Sequence, residues 1–579
     1  MQQLQVVAEV MDENGPQPQQ QNGRNPERTG FRGSSVWKAL AIGALAGFGG
    51  ILFGYDTGYI NGVMAMGYFE NMYFAKPPPW LNLDREQRPF WMDDKLAPAW
   101  FHLPGRDKSL IVGLLSAGTC VGSLLGSDAA DYLGRRVALL LGCLVFIWGI
   151  VDQTTSVHMD LLGRGRFETG LGMGTISTVI ILYLAEISPA SIRGFMVAFY
   201  QFCITMGLLI ASCVNMGTHG MWNMGSYRIP VSLQLVWALA LIFWLLFLPE
   251  SPRWHVKMGN LSKAKVALAQ LRCLHENDES VRMELNDMVL TCQHELTVTQ
   301  PGRYWQSWLS CFRGPWRESG SNVRRTMLGI AMQMFQQITG VNFIFYFGTA
   351  FFQQQGFDNV FVILVAMSAV NVASTIASFY VVNKLRRRSL LMAGAAVMAL
   401  CQFTVATVGL IWRGQGSPPS RGGFHVGHAP TRNLAPIPAW HFWTTMAGVG
   451  IYLFCYATTW GPGAWILTGE IFPLKIRARG VGLSTATNWL SNSVVSFVTP
   501  VLIDANQWNL GPAVFLIWGS ACLLASLFTY IFVPETKGLT LEQVDLMFEL
   551  SARGSSRWVP PEDVARLFSS YSRRHSRTK

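Results

Sequence analysis

Twelve long apolar runs decide what this chain can fold into. They lie at roughly 38–63, 109–129, 137–155, 160–187, 195–216, 231–248, 326–352, 359–382, 389–412, 439–467, 481–503 and 512–533. Each is close to or above the roughly 20 residues that one helical crossing of a bilayer needs. Hydrocarbon offers no partner for a backbone N–H or C=O, so such runs must close their own hydrogen bonds as helices. The expected fold class is an all-α membrane protein of twelve transmembrane helices. Half of the residues are hydrophobic and only 14% are charged, which excludes a string of soluble domains. The formal charge of +11 would suit nucleic acid, but many of the basic residues sit in short links between apolar runs. Positive-inside topology accounts for them, so the expected partner is the lipid bilayer and not nucleic acid.

An even number of crossings puts both termini on one side. The links that leave even-numbered runs hold Arg135-Arg136, then Arg193, then Lys384 with Arg386-Arg387-Arg388, then Lys475, Arg477 and Arg479. All fall on the side of the termini, which is therefore expected to be cytoplasmic, with a plasma-membrane location. Residues 1–35, rich in Gln, Asn, Pro, Gly and Arg, read as a disordered tail, and 551–579 as a basic one. Residues 64–108 and about 413–438 form outer loops. The charged stretch 249–325, with a helical pattern over Leu261–Cys292, is expected to be a cytoplasmic helical linker between halves 36–248 and 326–550. Asn260-Leu261-Ser262 falls on the inner side and should carry no glycan. The first run, which follows a polar tail and has no small-residue cleavage pattern, is expected to stay as a helix and not to be a cleavable signal peptide. Ten scattered Cys without a CxxC or Cys/His cluster imply neither a disulfide framework nor a metal site.

The two halves repeat. Glu186-Ile-Ser-Pro runs to Arg193-Gly194 in the first and Glu470-Ile-Phe-Pro to Arg477 in the second, with the same Glu-to-Arg spacing. Pro249-Glu250-Ser-Pro-Arg253 closes the first half and Pro534-Glu535-Thr-Lys537-Gly538 the second. Asp131-Tyr-Leu-Gly134-Arg135-Arg136 is echoed weakly by Asn383-Lys-Leu-Arg386-Arg387-Arg388.

Two places carry chemistry inside the hydrocarbon. Phe335–Phe347 holds three amides and a phenol: Gln336, Gln337, Asn342 and Tyr346. Amides that both donate and accept suit a neutral polyhydroxylated ligand, although they also suit helix-to-helix bonding. On one continuous helix the four would spread over roughly 220°. A local break at Thr339-Gly340 is therefore expected. Asp56, amid glycines in the first run, is a costly intramembrane carboxylate. Helix rise places it at the same outer depth as Arg166 in the fourth run. Paired with Arg166 it stays ionised; parted from it and desolvated, it takes up a proton. A static ion pair is the plainer reading.

The ordered set of motifs resembles the sugar porter family of the major facilitator superfamily, especially fungal hexose and quinate transporters. The likeness covers nearly all of residues 38–550. It rests on Gly54-Tyr55-Asp56-Thr57-Gly58, Asp131…Gly134-Arg135-Arg136, Arg166…Gly170-x-Gly172-x-Gly174, Glu186…Arg193-Gly194, Pro249-Glu-Ser-Pro-Arg253, Gln336-Gln337…Asn342…Tyr346, Trp460-Gly461-Pro462…Trp465, Asn488-Trp489…Asn492 and Pro534-Glu-Thr-Lys-Gly538. A major facilitator fold of two six-helix halves is what the resemblance implies.

It also implies roles. Proton symporters of the family carry Asp where Asp56 stands. Gln201, Gln336, Gln337, Asn342, Tyr346, Asn371, Trp465, Asn488 and Asn492 match sugar-binding positions, and Trp460 and Trp489 are their neighbours. A pyranose needs amides for its hydroxyl pairs and an indole face for its C–H side. Pro462 should break the tenth helix and make it a gate. Asp131, Arg135, Arg136, Glu186, Arg193, Glu470 and Arg477 match the inner gate latch. Four positions depart from the pattern. Asn383 replaces an acid and Arg386 a Gly, which should weaken the latch of the second half; Ile181 replaces a Pro, and Glu168 is an added acid.

The expected activity is proton-coupled symport of a monosaccharide or related polyol by alternating access, with no cofactor, no metal and a monomeric state. A facilitative sugar or quinate carrier is the alternative. So is a non-transporting nutrient sensor, which the short tail after Gly538 disfavours and the degenerate Asn383–Arg388 motif mildly favours. Nothing in the chain reads as an enzyme: there is no nucleophile–base set or phosphate loop.

Overall fold

The computed structural model describes residues 47–73, 105–189, 193–298, 304–314, 321–354, 360–414, 439–503, 508, 510–550 and 562–564. The two tails, apart from 562–564, and most of both outer loops lie outside the described residues. So does the start of the first apolar run. Among the described residues every regular element is helical.

All twelve runs appear as crossings. Crossing 1 is Gly49–Val63, 2 is Gly105–Leu133, 3 is Arg135–Thr155, 4 is Met159–Ile187 and 5 is Arg193–Thr218. Crossing 6 joins Gly225–Ser232 to Gln234–Leu245. Crossing 7 joins Asn322–Ile338 to Val341–Gln354, crossing 8 is Val360–Lys384 and crossing 9 is Arg387–Gly414. Crossing 10 joins Ala439–Thr458 to Trp460–Glu470, crossing 11 is Arg477–Ile503 and crossing 12 is Val514–Phe532. Eight of these are long and apolar enough to span by composition alone. The other four have physical reasons to fall short. Crossing 1 is described only from Gly49 in its main helix, crossings 7 and 10 are broken, and crossing 11 carries Asn488, Asn492 and many Ser and Thr.

The break in crossing 7 falls where expected. Gly340 has φ +90°, the left-handed region that favours glycine. A Cβ there would lie 2.6 Å from the Trp518 ring. Crossing 10 differs from expectation. It breaks at Thr459 (φ −123°, ψ −75°), ahead of Pro462, and Trp460 and Trp465 share the second segment. Pro462 lies in the first turn of that segment, where its missing N–H costs nothing. Its ring instead excludes the carbonyl of Thr458 four residues back, which ends the preceding helix.

Close helix contact depends on small residues. Gly118 and Gly122 of crossing 2 would each place a Cβ 2.2 Å from a carbonyl of crossing 4, at Phe167 and Leu171. The halves meet along two seams, crossing 2 against 11 and crossing 5 against 8. The linker forms helices Pro252–Lys257, Leu261–Arg272 and Glu279–Val298, with Cys273 in a left-handed cap (φ 54°) splitting the Leu261–Cys292 pattern. Val256, Leu268 and Val281 build its own small core. Arg272 fastens it to the bundle by donating from Nη1 to the Ile187 carbonyl at 3.0 Å.

Candidate functional site

The break at Thr339-Gly340 turns the amides of crossing 7 toward crossing 11. Gln337 donates to Asn488 Oδ1 at 2.8 Å, and Asn488 donates to Gln336 Oε1 at 2.8 Å and to Gln333 Oε1 at 2.7 Å. Asn342 donates to Gln337 Oε1. Asn492 reaches Gln337 Oε1 and the Tyr346 hydroxyl, each at 3.3 Å. Gln336 donates to the carbonyls of Trp460 and Gly461 at the break of crossing 10, at 3.1 and 3.0 Å. Five expected amides and the phenol thus form one buried cluster of mutually satisfied groups. Such clusters are favourable only when every member finds a partner.

The remaining expected residues sit differently. Gln201, buried on crossing 5, places its amide beside Gly461. Trp465 is buried edge-on to Tyr200, with ring centroids 6.4 Å apart. Trp489 is buried against Phe53 at 5.0 Å, and its Nε1 has no partner. Trp460 donates its Nε1 to the Leu391 carbonyl at 2.9 Å, which ties it to crossing 9 as an anchor. Asn371 is buried on crossing 8, its Oδ1 without a partner, and is not joined to the amide cluster.

Two members were missed. Gln333 lies one turn before Gln337, on the same helical face, so its spacing could have revealed it. Ser116 of crossing 2 donates to Asn492 Oδ1 at 2.9 Å and brings the first half into the cluster. No spacing signals a partner so distant in sequence.

Asp56 and Arg166 meet as expected. Arg166 Nη1 lies 3.1 Å from Asp56 Oδ1, and both side chains are fully buried. The same Nη1 donates to the Tyr59 hydroxyl at 2.9 Å, and Tyr59 donates to Gln153 Oε1 at 2.8 Å. Arg166 Nη2 is buried without a partner. The contact therefore uses one arm of a guanidinium that can grip a carboxylate with two. Tyr346 lies within electrostatic range of both charges, which connects the ion pair to the amide cluster. The added acid Glu168 stays apart, 3.7 Å from Arg164, which also pairs with Asp152.

The arginine-rich end of the bundle carries the third set. Arg135 grips Glu186 with two bonds, at 2.8 and 2.9 Å, and Ser251 donates to the same carboxylate at 2.5 Å. Glu250 accepts from the backbone N–H of Arg135 and Arg136 at 2.9 and 3.0 Å. Burial pushes the Glu250 carboxyl above its usual range, and the backbone N–H bonds pull it back. Gly134 makes room for it with φ +99°. The second half copies the arrangement. Arg387 pairs with Glu470, and Glu535 accepts from the backbone N–H of Arg387 and Arg388 at 3.1 and 3.2 Å. Although position 383 lacks an acid, Arg387 keeps a carboxylate partner from crossing 10.

Across the halves, Asp131 pairs with Arg479 at 3.1 Å and also with Lys257 at 2.5 Å. Arg479 further lies 3.5 Å from Asp128. The motif spacing puts Arg477 in the latch. Arg477 donates to the Phe472 carbonyl at 3.0 Å and acts electrostatically on Glu186, while Arg479, two residues on, faces crossing 2. Arg136 donates to the Leu246 carbonyl at 2.8 Å. Arg193 begins crossing 5, and its side chain lies outside the described residues.

This geometry agrees with the comparisons. The family described as "Sugar (and other) transporter" matches residues 42–548. The chain belongs to the sugar porter family of the major facilitator superfamily. It is 39% identical to the major facilitator-type transporter ecdD of Aspergillus rugulosus, over 94% of this chain and 93% of that one. It is 36% identical to the probable glucose transporter rco-3 of Neurospora crassa, over 89% and 80%. The high glucose sensor RGT2 of Saccharomyces cerevisiae is 33% identical, over 91% of this chain and 62% of the sensor. Among solved structures, the proton:xylose symporter XylE bound to 6-bromo-6-deoxy-D-glucose superposes with TM-score 0.69 at 25% identity, covering 89% of this chain and 99% of that one. The inward-open form of XylE scores 0.59. The fold is that of the major facilitators, and the family is one of membrane transporters.

Proposed function

We propose that this sugar porter couples proton movement to the uptake of a monosaccharide or related polyol, by alternating access between its six-helix halves. The observation that carries the reading is the fully buried Asp56–Arg166 pair, held through one nitrogen and standing in electrostatic range of Tyr346 in the amide cluster. Parting the pair leaves a desolvated carboxylate that a proton neutralises. Sugar hydroxyls would exchange the bonds among Gln336, Gln337, Asn342, Asn488 and Asn492 for equivalent ones, so binding leaves no buried amide unpaired. Gln201, Trp465 and Trp489 would complete the pocket. Tyr346 and Asn492 would then report sugar occupancy to the ion pair.

Arg479, Asp131 and Asp128 would lock the basic end shut, and Arg135–Glu186 and Arg387–Glu470 would hold each half rigid as it rocks. The basic end would face the cytoplasm, with both termini, in a monomer of the plasma membrane. Halves 36–248 and 326–550, joined by the linker 249–325, would be the rocking units. The xylose symporter's fold and its sugar ligand support this reading.

The likeness to the glucose sensor favours a second reading, in which sugar changes the conformation without net transport. Uptake of a panel of sugars, polyols and quinate into a transporter-deficient cell at two external pH values separates the possibilities. Uptake stimulated by acid is expected. Quinate carried alone would overturn the substrate class, pH-independent uptake would mean facilitation, and no uptake of any compound would favour the sensor.

A further inference from the structure

The two halves differ at one place that the transport cycle leaves unused. In the first half, the acid of the link after crossing 2, Asp131, is buried and neutralised. Helix Pro252–Lys257 lies over it, with Trp254 Nε1 donating to the Asp131 carbonyl at 3.0 Å and Lys257 on the Asp131 carboxylate. In the second half, position 383 is Asn, and Lys537 reaches back to donate to the Lys384 carbonyl at 3.0 Å. Lys384, Leu385 and Arg386 are exposed. Around this corner five basic side chains, Lys384, Arg386, Arg387, Arg388 and Lys537, face two carboxylates, Glu470 and Glu535. Glu470 is engaged by Arg387 and Thr536, and Glu535 caps backbone N–H groups.

Directly beside it a shallow cleft of about 540 Å³, open along most of its face, lies on the outer surface of the bundle and is lined by Phe195, Phe379, Tyr380 and Lys384. Phe195 belongs to crossing 5 and the others to crossing 8, so the cleft straddles the seam between the halves. Phe195 and Phe379 pack with their rings tilted by 42° and their centroids 4.9 Å apart, making an apolar floor. Tyr380, 65% exposed, lies under Lys384, whose Nζ is 2.7 Å from the phenol oxygen. An apolar cleft between crossings, topped by an aromatic–lysine pair and an excess of positive charge at the bundle end, matches the chemistry of an anionic phospholipid. The floor takes the acyl chain and the basic rim the phosphate.

We propose that this cleft is a binding site for an anionic phospholipid of the leaflet on the basic side, with Lys384 and Arg386 as the headgroup contacts. Because its walls belong to different halves, the bound lipid is sensitive to their rocking and biases the transport cycle. Native mass spectrometry of the purified full chain, titrated with phosphatidylserine and phosphatidylcholine, tests this. The wild type is expected to prefer phosphatidylserine. Lys384→Gln should weaken that lipid about fivefold, as expected for one juxtamembrane charge. Lys384→Arg should retain it, and Lys263→Gln, in the exposed linker, should leave it unchanged. The proposal is overturned if the wild type shows no preference, if Lys384→Gln binds as the wild type does, if Lys263→Gln weakens binding equally, or if millimolar inorganic phosphate alone displaces the lipid. The wild-type comparison needs no variant to fold.

Discussion

Removing Arg479 should open the arginine-rich end of the bundle. Its guanidinium contacts Asp131 at 3.1 Å and Asp128 at 3.5 Å, both on the other half, and its side chain is only 6% exposed. Breaking a buried ion pair by deleting one partner costs about 3–5 kcal/mol when the other charge is stranded. Asp131 is not stranded, because Lys257 stays 2.5 Å away. The loss is then closer to that of one charge-assisted hydrogen bond, about 2 kcal/mol. That energy belongs to the closed state alone, so Arg479→Ala should shift the closed-to-open ratio about 30-fold. Spin labels at Leu133 and Leu385, both exposed and on opposite halves, report the change by double electron–electron resonance. Cys213, the exposed native thiol among the described residues, is replaced by Ser. A longer-distance population should grow in Arg479→Ala and in Asp131→Ala, and the double variant should add little to either. Unchanged distances, or fully additive effects, would show that the pair does not hold the halves together.

Three further outcomes follow from the same geometry. Asn488→Ala removes the partner of Gln333, Gln336 and Gln337 at once. Unpaired buried amides cost about 1–3 kcal/mol each, so the transport KM should rise at least about tenfold, and an unchanged KM would remove the cluster from the site. Gly340→Ala puts a Cβ 2.6 Å from Trp518 at a positive φ. It should destabilise the protein by about 1–3 kcal/mol in detergent melts, and a neutral result would mean that the break in crossing 7 relaxes freely. Glu250→Ala and Glu535→Ala each delete the acceptor for two backbone N–H groups at matching links. Their melting temperatures should fall together, and a loss confined to one half would contradict the structural repeat.

Much of this was legible in the chain, because the bilayer imposes length and composition on every crossing. The Glu-to-Arg spacings exposed the repeat, and helix rise put Asp56 and Arg166 at one depth, where they could meet. Gly340 announced its break because few other residues tolerate that backbone. What the chain hid was choice among near-equals. Arg479, two residues past Arg477, faces Asp131 and Asp128 of crossing 2, a pairing that only the packed helix shows. Pro462 signalled a break, but the ring acts on the turn before it, so the break fell at Thr459. Ser116 and Tyr59 are ordinary residues, joined to the amide cluster and the ion pair by neighbours that lie far away in sequence. Arg387 was expected to lose its acid with Asn383, yet Glu470 supplies one from crossing 10.

The central claim is that Asp56 carries the coupled proton. The direct measurement is sugar accumulation in proteoliposomes under an imposed inward proton gradient, with counterflow exchange measured in the same vesicles. The sugar used is the one that the uptake panel shows is carried best. The wild type should concentrate sugar above equilibrium. Asp56→Asn should lose that accumulation while retaining exchange, since Arg166 keeps Tyr59 and the Ile111 carbonyl as partners. A wild type that ignores the gradient, or an Asp56→Asn variant that still accumulates sugar against it, would contradict the account.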